Sequence, residues 1–214
     1  MPSTHLVLIR HGETAWNVDR RFQGHLDIGL NDNGRRQAEL LALRLEREHA
    51  RQPFAALYCS DLSRARDTAA AIAARTGLTL TIDAGLRERG LGVLEGLTPD
   101  QMAVQQPEVY AGWQRRDPEA VVPGGERLAD FSQRVLTALQ QVAGRHDGAT
   151  VLVVVHGGVL DCIYRAAQGI DLMAPRQREM HNAAINRLVY DGTVWSITDW
   201  GDVSHLDMET LDEL

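Results

Sequence analysis

Only two cysteines occur in the 214 residues, Cys59 and Cys162. Each sits among apolar neighbours, so buried free thiols are expected rather than a disulfide, which fits a reducing compartment. Long hydrophobic runs are scarce. The longest, near Val151 to Val155, is far too short to span a bilayer. The amino terminus lacks a basic segment followed by an apolar signal core. A cytoplasmic protein without a membrane partner is expected. An excess of positive charge is absent too, the formal balance being -7. Nucleic acid and anionic membranes want a basic face, so neither is expected as the main partner. A small anion stays admissible, because its site can be locally positive. No close-spaced ligand pair such as HExxH occurs, so no metal site is expected. No internal repeat or low-complexity segment is found.

What is present reads as an ordinary folded chain, with 44% hydrophobic and 24% charged residues. The length suits one substantial domain, residues 1–214. Strand-like runs alternate with amphipathic helices, which indicates an α/β domain with a largely parallel sheet. Strands are expected at Leu6 to Ile9, Ala55 to Cys59, Leu78 to Ile82 and Ala149 to Val155. Asn31 or Asp32 should cap a helix burying Ala38, Leu41 and Leu45. Ser60 or Asp61 should cap an alanine-rich helix that ends near Gly77. Leu128, Phe131, Val135, Leu139 and Val142 mark another helix. Pro99, Pro107, Pro118 and Pro123 break the intervening stretch, read as a helical lid insertion over about 97–123. A hairpin is expected around Asp191-Gly192.

Two of these strands end alike. Leu6 to Ile9 runs into Arg10-His11-Gly12, and Val151 to Val155 into His156-Gly157-Gly158. Open parallel sheets bind ligands at the carboxyl ends of their strands, so two histidines delivered there can share a pocket. Arg64, one turn into a helix, could point back to the same place, since a helix amino terminus suits an anion. A solvated arginine partnered by Asp61 or Asp67 is the plainer reading. Glu88 follows a strand between Arg87 and Arg89; a surface salt bridge is its plain reading. Trp16, Phe22 and Trp113 could line an entrance or simply be core. Arg115 and Arg116 read as a solvated helix end, or as a second anion contact.

Taken together, the segments Leu8-Ile9-Arg10-His11-Gly12-Glu13-Thr14, Asn17, Gln23-Gly24, Ser60-Asp61-Leu62-Ser63-Arg64-Ala65, Leu86-Arg87-Glu88, Glu95-Gly96, Pro123-Gly124-Gly125-Glu126 and Val155-His156-Gly157-Gly158 resemble the histidine phosphatase superfamily, in its phosphoglycerate-mutase-like branch. The resemblance implies a three-layer α/β/α sandwich with a mostly parallel central sheet. It implies an enzyme that transfers a phosphoryl group to histidine without a cofactor. His11 falls on the nucleophile, Arg10 and Arg64 on the phosphate-clamping arginines, and His156 on the second pocket histidine. Asn17, Gln23, Gly24 and Gly157 fall on phosphate or loop contacts, and Glu88 on the proton donor. At least one of Arg87 and Arg89 should then point away from the site. Mutases of this kind are typically longer, and Glu95-Gly96 and the Pro123-Gly124-Gly125-Glu126 turn look like the shorter phosphatase-type members, so the resemblance implies a metal-independent phosphomonoester phosphatase acting on a small phosphorylated metabolite. Phosphoglycerate mutase is the alternative, and a non-catalytic phospho-ligand-binding module a further one. A homodimer built on an edge strand or the tail hairpin is plausible.

Overall fold

The computed structural model describes residues 2–206, so Met1 and residues 207–214 of the expected unit lie outside it. Six strands form one sheet: β1 (Thr4–Arg10), β2 (Ala56–Cys59), β3 (Leu80–Ile82), β4 (Thr150–Val155), β5 (Ile185–Tyr190) and β6 (Trp195–Asp202). The spatial order is β3-β2-β4-β1-β5-β6. The first four are mutually parallel; β5 and β6 run antiparallel and form the expected hairpin.

Among the described residues seven α-helices accompany the sheet: α1 (Ala15–Val18), α2 (Asp32–Arg51), α3 (Ser63–Thr76), α4 (Pro99–Gln105), α5 (Pro107–Gln114), α6 (Leu128–Gly144) and α7 (Gly157–Gln168). The central strands are apolar on both sides, as a covered parallel sheet requires. Val7, Ile9, Leu152 and Val154 pack with Leu41, Leu45, Ala65 and Ile72 of α2 and α3. Leu6, Leu8, Val151, Val153 and Val155 pack with Val135, Leu139, Leu160 and Ile163 of α6 and α7. This is the expected three-layer α/β/α arrangement. A third, smaller cluster of Leu91, Leu94, Met102 and Val122 gives the proline-rich segment with α4 and α5 its own core.

Two helix ends follow their local signals. Asn31 caps α2, accepting from Gly34 N at 2.7 Å. Gly77 ends α3 in the left-handed region, where glycine has no Cβ penalty. The start of α3 corrects the sequence reading. Leu62, not Ser60 or Asp61, holds the cap position, and no side chain caps the helix. Asp61 is engaged elsewhere, by Arg87 (Nε–Oδ1 2.7 Å).

The topology sets up one crevice. From β1 the chain crosses by α2 to β2, and from β4 it crosses by α7 to β5, on opposite faces of the sheet. The two strands are neighbours, with Arg10 level with Val155. A ligand crevice opens where strand connections diverge in this way.

Candidate active site

Because β1 and β4 are adjacent and in register, the residues that follow them emerge side by side. His11 N donates to Val155 O at 3.0 Å. The rings of His11 and His156 lie 5.2 Å apart, tilted by 58°. Both are buried. His11 Nδ1 lies 2.7 Å from Gly12 O. A carbonyl only accepts, so Nδ1 carries the hydrogen and the neutral ring keeps its lone pair on Nε2. Burial, then Arg10 and Arg64, push the His11 pKa well below its ordinary value of 6.5. His156 is pushed the same way by burial, then Arg64, His11 and Arg10.

Arg10 leaves the end of β1, and its Nη1 donates to Met180 O. Burial is the main reason its pKa falls to about 10, so it stays charged at neutral pH. Arg64 is fully buried and donates to Gly24 O (2.8 Å) and Leu26 O (3.0 Å). The solvated-arginine reading of Arg64 is therefore wrong. Its contact with Gly24 needs glycine there: φ is +50°, and a Cβ would meet Glu95 Oε1 at 2.1 Å. The pieces assemble by one further bond, from Asn182 Nδ2 to His11 O at 2.9 Å.

Glu88 sits beyond a short 3-10 turn (Ala84–Leu86), not directly after β3. Its carboxylate accepts from Arg89 N at 2.8 Å and from Gly158 N at 2.9 Å. The second donor is a free N–H of the first turn of α7, so the helix amino terminus orients the carboxylate. As expected, one neighbouring arginine turns away: Arg87 pairs with Asp61, while Arg89 is buried and faces the cavity.

Most of these groups line one cavity of about 1210 Å³. Arg10, His11, Asn17, Gln23, Gly24, Arg64, Glu88 and Gly157 are in its wall. His156 is fully buried and is not among the lining residues; its ring lies 5.2 Å from that of His11. Trp16, Phe22 and Trp113 also line it, and Phe22 and Trp113 pack at the same time against the small cluster of Leu91, Leu94, Met102 and Val122. Cys162 reaches the wall too, but burial pushes its thiol up to about 12, which leaves it a protonated spectator. Among the described residues, no group of three or more His, Cys, Asp or Glu side chains is placed to hold a metal ion.

Eight buried side-chain nitrogen or oxygen atoms lack a hydrogen-bond partner among the described residues. Five of them belong to this site: Arg10 Nε, Arg64 Nε, both His156 nitrogens and Gln23 Oε1. Buried polar groups are ordinarily paired, so such a concentration marks where a polar ligand belongs. Three of the five can donate to an anion: Arg10 Nε, Arg64 Nε and the one nitrogen of the neutral His156 ring that carries the hydrogen. Turning the Gln23 amide over would offer its NH₂ as well.

Sequence reasoning missed part of the wall. Arg116 is not a solvated helix end: its Nη2 meets Asp161 Oδ2 at 2.7 Å and its Nε meets Leu172 O at 2.8 Å, while its neighbour Arg115 is exposed. Asp161 is buried on α7 and also holds Arg165 (3.0 Å) and Arg176 (3.4 Å). Arg176 and Asn182 lie in a loop without periodicity, so no pattern announces them. The chain has no lysine, and every long cation in the wall is an arginine.

Comparison with known proteins agrees with this geometry. Residues 6–203 match the model of the histidine phosphatase superfamily (branch 1). The chain is 42% identical over 205 residues to phosphoglycerate mutase-like protein 4 of Arabidopsis thaliana, covering 94% of this chain and 86% of that one. It is 40% identical over 206 residues to a metal-independent phosphoserine phosphatase of the same plant, covering 95% and 83%. The solved structure of Bacillus stearothermophilus YhfR superposes with a TM-score of 0.85 at 37% identity, covering 95% of this chain and 99% of that one.

Proposed function

This chain belongs to the histidine phosphatase superfamily, branch 1, and on that footing we propose that it is a metal-independent phosphomonoester phosphatase acting through a phosphohistidine on His11. The carrying observation is the cluster of unpartnered buried nitrogens on Arg10, Arg64 and His156 around a histidine whose lone pair is held on Nε2.

In this reading His11 Nε2 attacks the phosphorus in line with the ester oxygen. Bound phosphate dianion draws protons onto a nearby imidazole; burial and the two arginines oppose that and keep the nucleophile neutral. Arg10 and Arg64 grip the non-bridging oxygens with planar, charge-assisted donors. His156, Gly157 N–H and Asn17 Nδ2 complete the cradle. Asn17 Oδ1 is already taken by Thr14 N and Asn182 Nδ2, so its side chain has only the amide N–H to offer. Donors fixed where charge develops are each worth roughly 10²- to 10³-fold in rate. Glu88 gives its proton to the departing alkoxide. It then takes one from the water that hydrolyses the phosphohistidine, a contribution of roughly 10²- to 10⁴-fold. The segment over 97–123 serves as the lid, with Trp113 on its inner side.

Arg89 and Arg116 line the same cavity as Glu88. They suit a leaving group that carries its own anionic charge, such as the carboxylate of a small phosphorylated acid. The same feature favours phosphoglycerate mutase as the second reading. A module that only binds phospho-ligands would need neither His11 nor Glu88.

The test is rapid quench on a fast aryl phosphate, followed by a screen of phosphorylated metabolites. Acid-labile phosphate on His11 and steady release of inorganic phosphate are expected. Interconversion of 3- and 2-phosphoglycerate without net phosphate release would favour the mutase. Absence of the adduct on a fast substrate would mean direct attack by water.

A further inference from the structure

The Pro123-Gly124-Gly125-Glu126 turn has no part in the phosphate chemistry above. It folds onto the segment that carries Glu88. Glu126 N donates to Gly90 O and Gly90 N donates to Glu126 Oε2, each at 2.8 Å. A Cβ on Gly125 would stand 2.6 Å from Gly90 O, so this approach requires glycine. The carboxylate of Glu126 then takes a two-pronged pair from Arg134 of α6, Nε–Oε1 at 2.9 Å and Nη2–Oε2 at 2.8 Å.

Arg134 spends its other N–H groups on three carbonyls of the segment that leads into Glu88. Nη1 donates to Gly85 O (2.9 Å) and Arg87 O (3.2 Å), and Nη2 to Glu88 O (3.2 Å). His25 Nε2 stands 2.8 Å from the same Glu88 carbonyl. Residues 87–90 belong to no helix or strand, so no ladder of backbone bonds holds Glu88 in place. Neither Arg134 nor Glu126 lines the cavity.

We infer that Arg134, locked in its fork by Glu126, is a positioning residue that fixes the backbone of Glu88 so that its carboxyl meets the leaving oxygen. The inference rests on the reading of Glu88 as proton donor. A side chain on irregular backbone must still be held to well under an ångström to act on one atom, and a misplacement of ~1 Å costs ~10²-fold. A rigid guanidinium in a bidentate pair supplies that constraint in a way a lysine cannot.

The experiment compares kcat/KM for an alkyl phosphate, whose leaving oxygen needs a proton, with that for 4-nitrophenyl phosphate, whose leaving group departs unprotonated. This quantity reports steps up to release of the alcohol. The alkyl-to-aryl ratio is measured for the wild type, Glu88→Gln, Arg134→Gln, Glu126→Gln and the double variant Arg134→Gln/Glu88→Gln. Vanadate affinity checks that the phosphate cradle is intact. Glu88→Gln should lower the ratio strongly. Arg134→Gln and Glu126→Gln should lower it about tenfold with vanadate affinity kept, and the double variant should fall no further than Glu88→Gln. Arg134→Lys retains charge without the fork and should give an intermediate ratio; it also serves should Arg134→Gln not fold. An unchanged ratio in the Arg134 and Glu126 variants, or an equal loss on both substrates, overturns the positioning role while Glu88→Gln still shifts the ratio. An unshifted ratio in Glu88→Gln defeats the proton-donor reading itself, and the inference with it.

Discussion

Gly158→Ala separates activity from stability at a single methyl group. Gly158 is the second residue of α7, and its φ is not positive, so alanine fits the backbone. Its Cβ would stand 2.1 Å from Glu88 Oε1 and 3.0 Å from Glu88 Cδ. To reach ordinary contact at 3.4 Å, that oxygen must retreat by about 1.3 Å. The carboxylate is the far end of a side chain beside an open cavity, so it can swing away cheaply. Overpacking commonly costs about 1–3 kcal/mol, here relieved by that swing and offset by the roughly 0.5–1 kcal/mol alanine gains over glycine in a helix. A net change within about 1 kcal/mol corresponds to a Tm shift of no more than about 4 °C for a chain of this size. Activity fares differently, because the displacement exceeds the ~1 Å that costs ~10²-fold. Steady-state kcat/KM on an alkyl phosphate should therefore fall about 10²-fold, and on 4-nitrophenyl phosphate far less. Gly144→Ala, a helical glycine whose Cβ meets nothing within 4 Å, is the control and should be silent. Full activity of Gly158→Ala on the alkyl ester would refute the placement of Glu88 at the leaving group.

The remaining predictions concern the nucleophile, the metal and pH. His11→Ala should reduce turnover to background while vanadate affinity, measured by calorimetry, stays within about tenfold (~1.4 kcal/mol), since Arg10, Arg64 and His156 remain; substantial residual turnover would mean another nucleophile. Activity should survive excess chelator, and a loss restored by zinc or magnesium would contradict the mechanism. His11 and His156 have folded pKa values far below 6.5, so below that pH the unfolded chain binds protons the folded one refuses. Their contribution is complete above pH 6.5 and is lost as pH falls towards the folded values, by up to about 1.4 kcal/mol per pH unit for each histidine. Urea midpoints should drop from pH 7 to 5, and a flat profile would show that these histidines are not buried neutral.

Much of the fold was legible because its signals are local. Val151 to Val155 is apolar without alternation, which only a doubly covered strand tolerates, and β4 is buried on both faces. Asn31 and Gly77 mark helix ends by chemistry that acts over three or four residues. Ser60 and Asp61 misled because a cap competes with tertiary partners. Asp61 is drawn to Arg87, 26 residues away, by a charge-assisted pair stronger than a capping bond. Arg116 misled for a similar reason: its partner Asp161 is 45 residues away, on α7.

By itself the sequence determined the strand ends that carry His11 and His156, the arginine-rich and glycine-rich chemistry around them, and the family to which that order of motifs belongs. These follow from short-range periodicity and from residue types few other reactions require together. Tertiary structure decided which groups converge. Register between β1 and β4 sets the two rings 5.2 Å apart. Packing buries Arg64, turns Arg87 out and Arg89 in, and brings Arg134 under Glu88. An arginine side chain reaches several ångströms in any direction, so its destination depends on which distant carbonyls and carboxylates the folded chain brings within reach, and no local pattern encodes that.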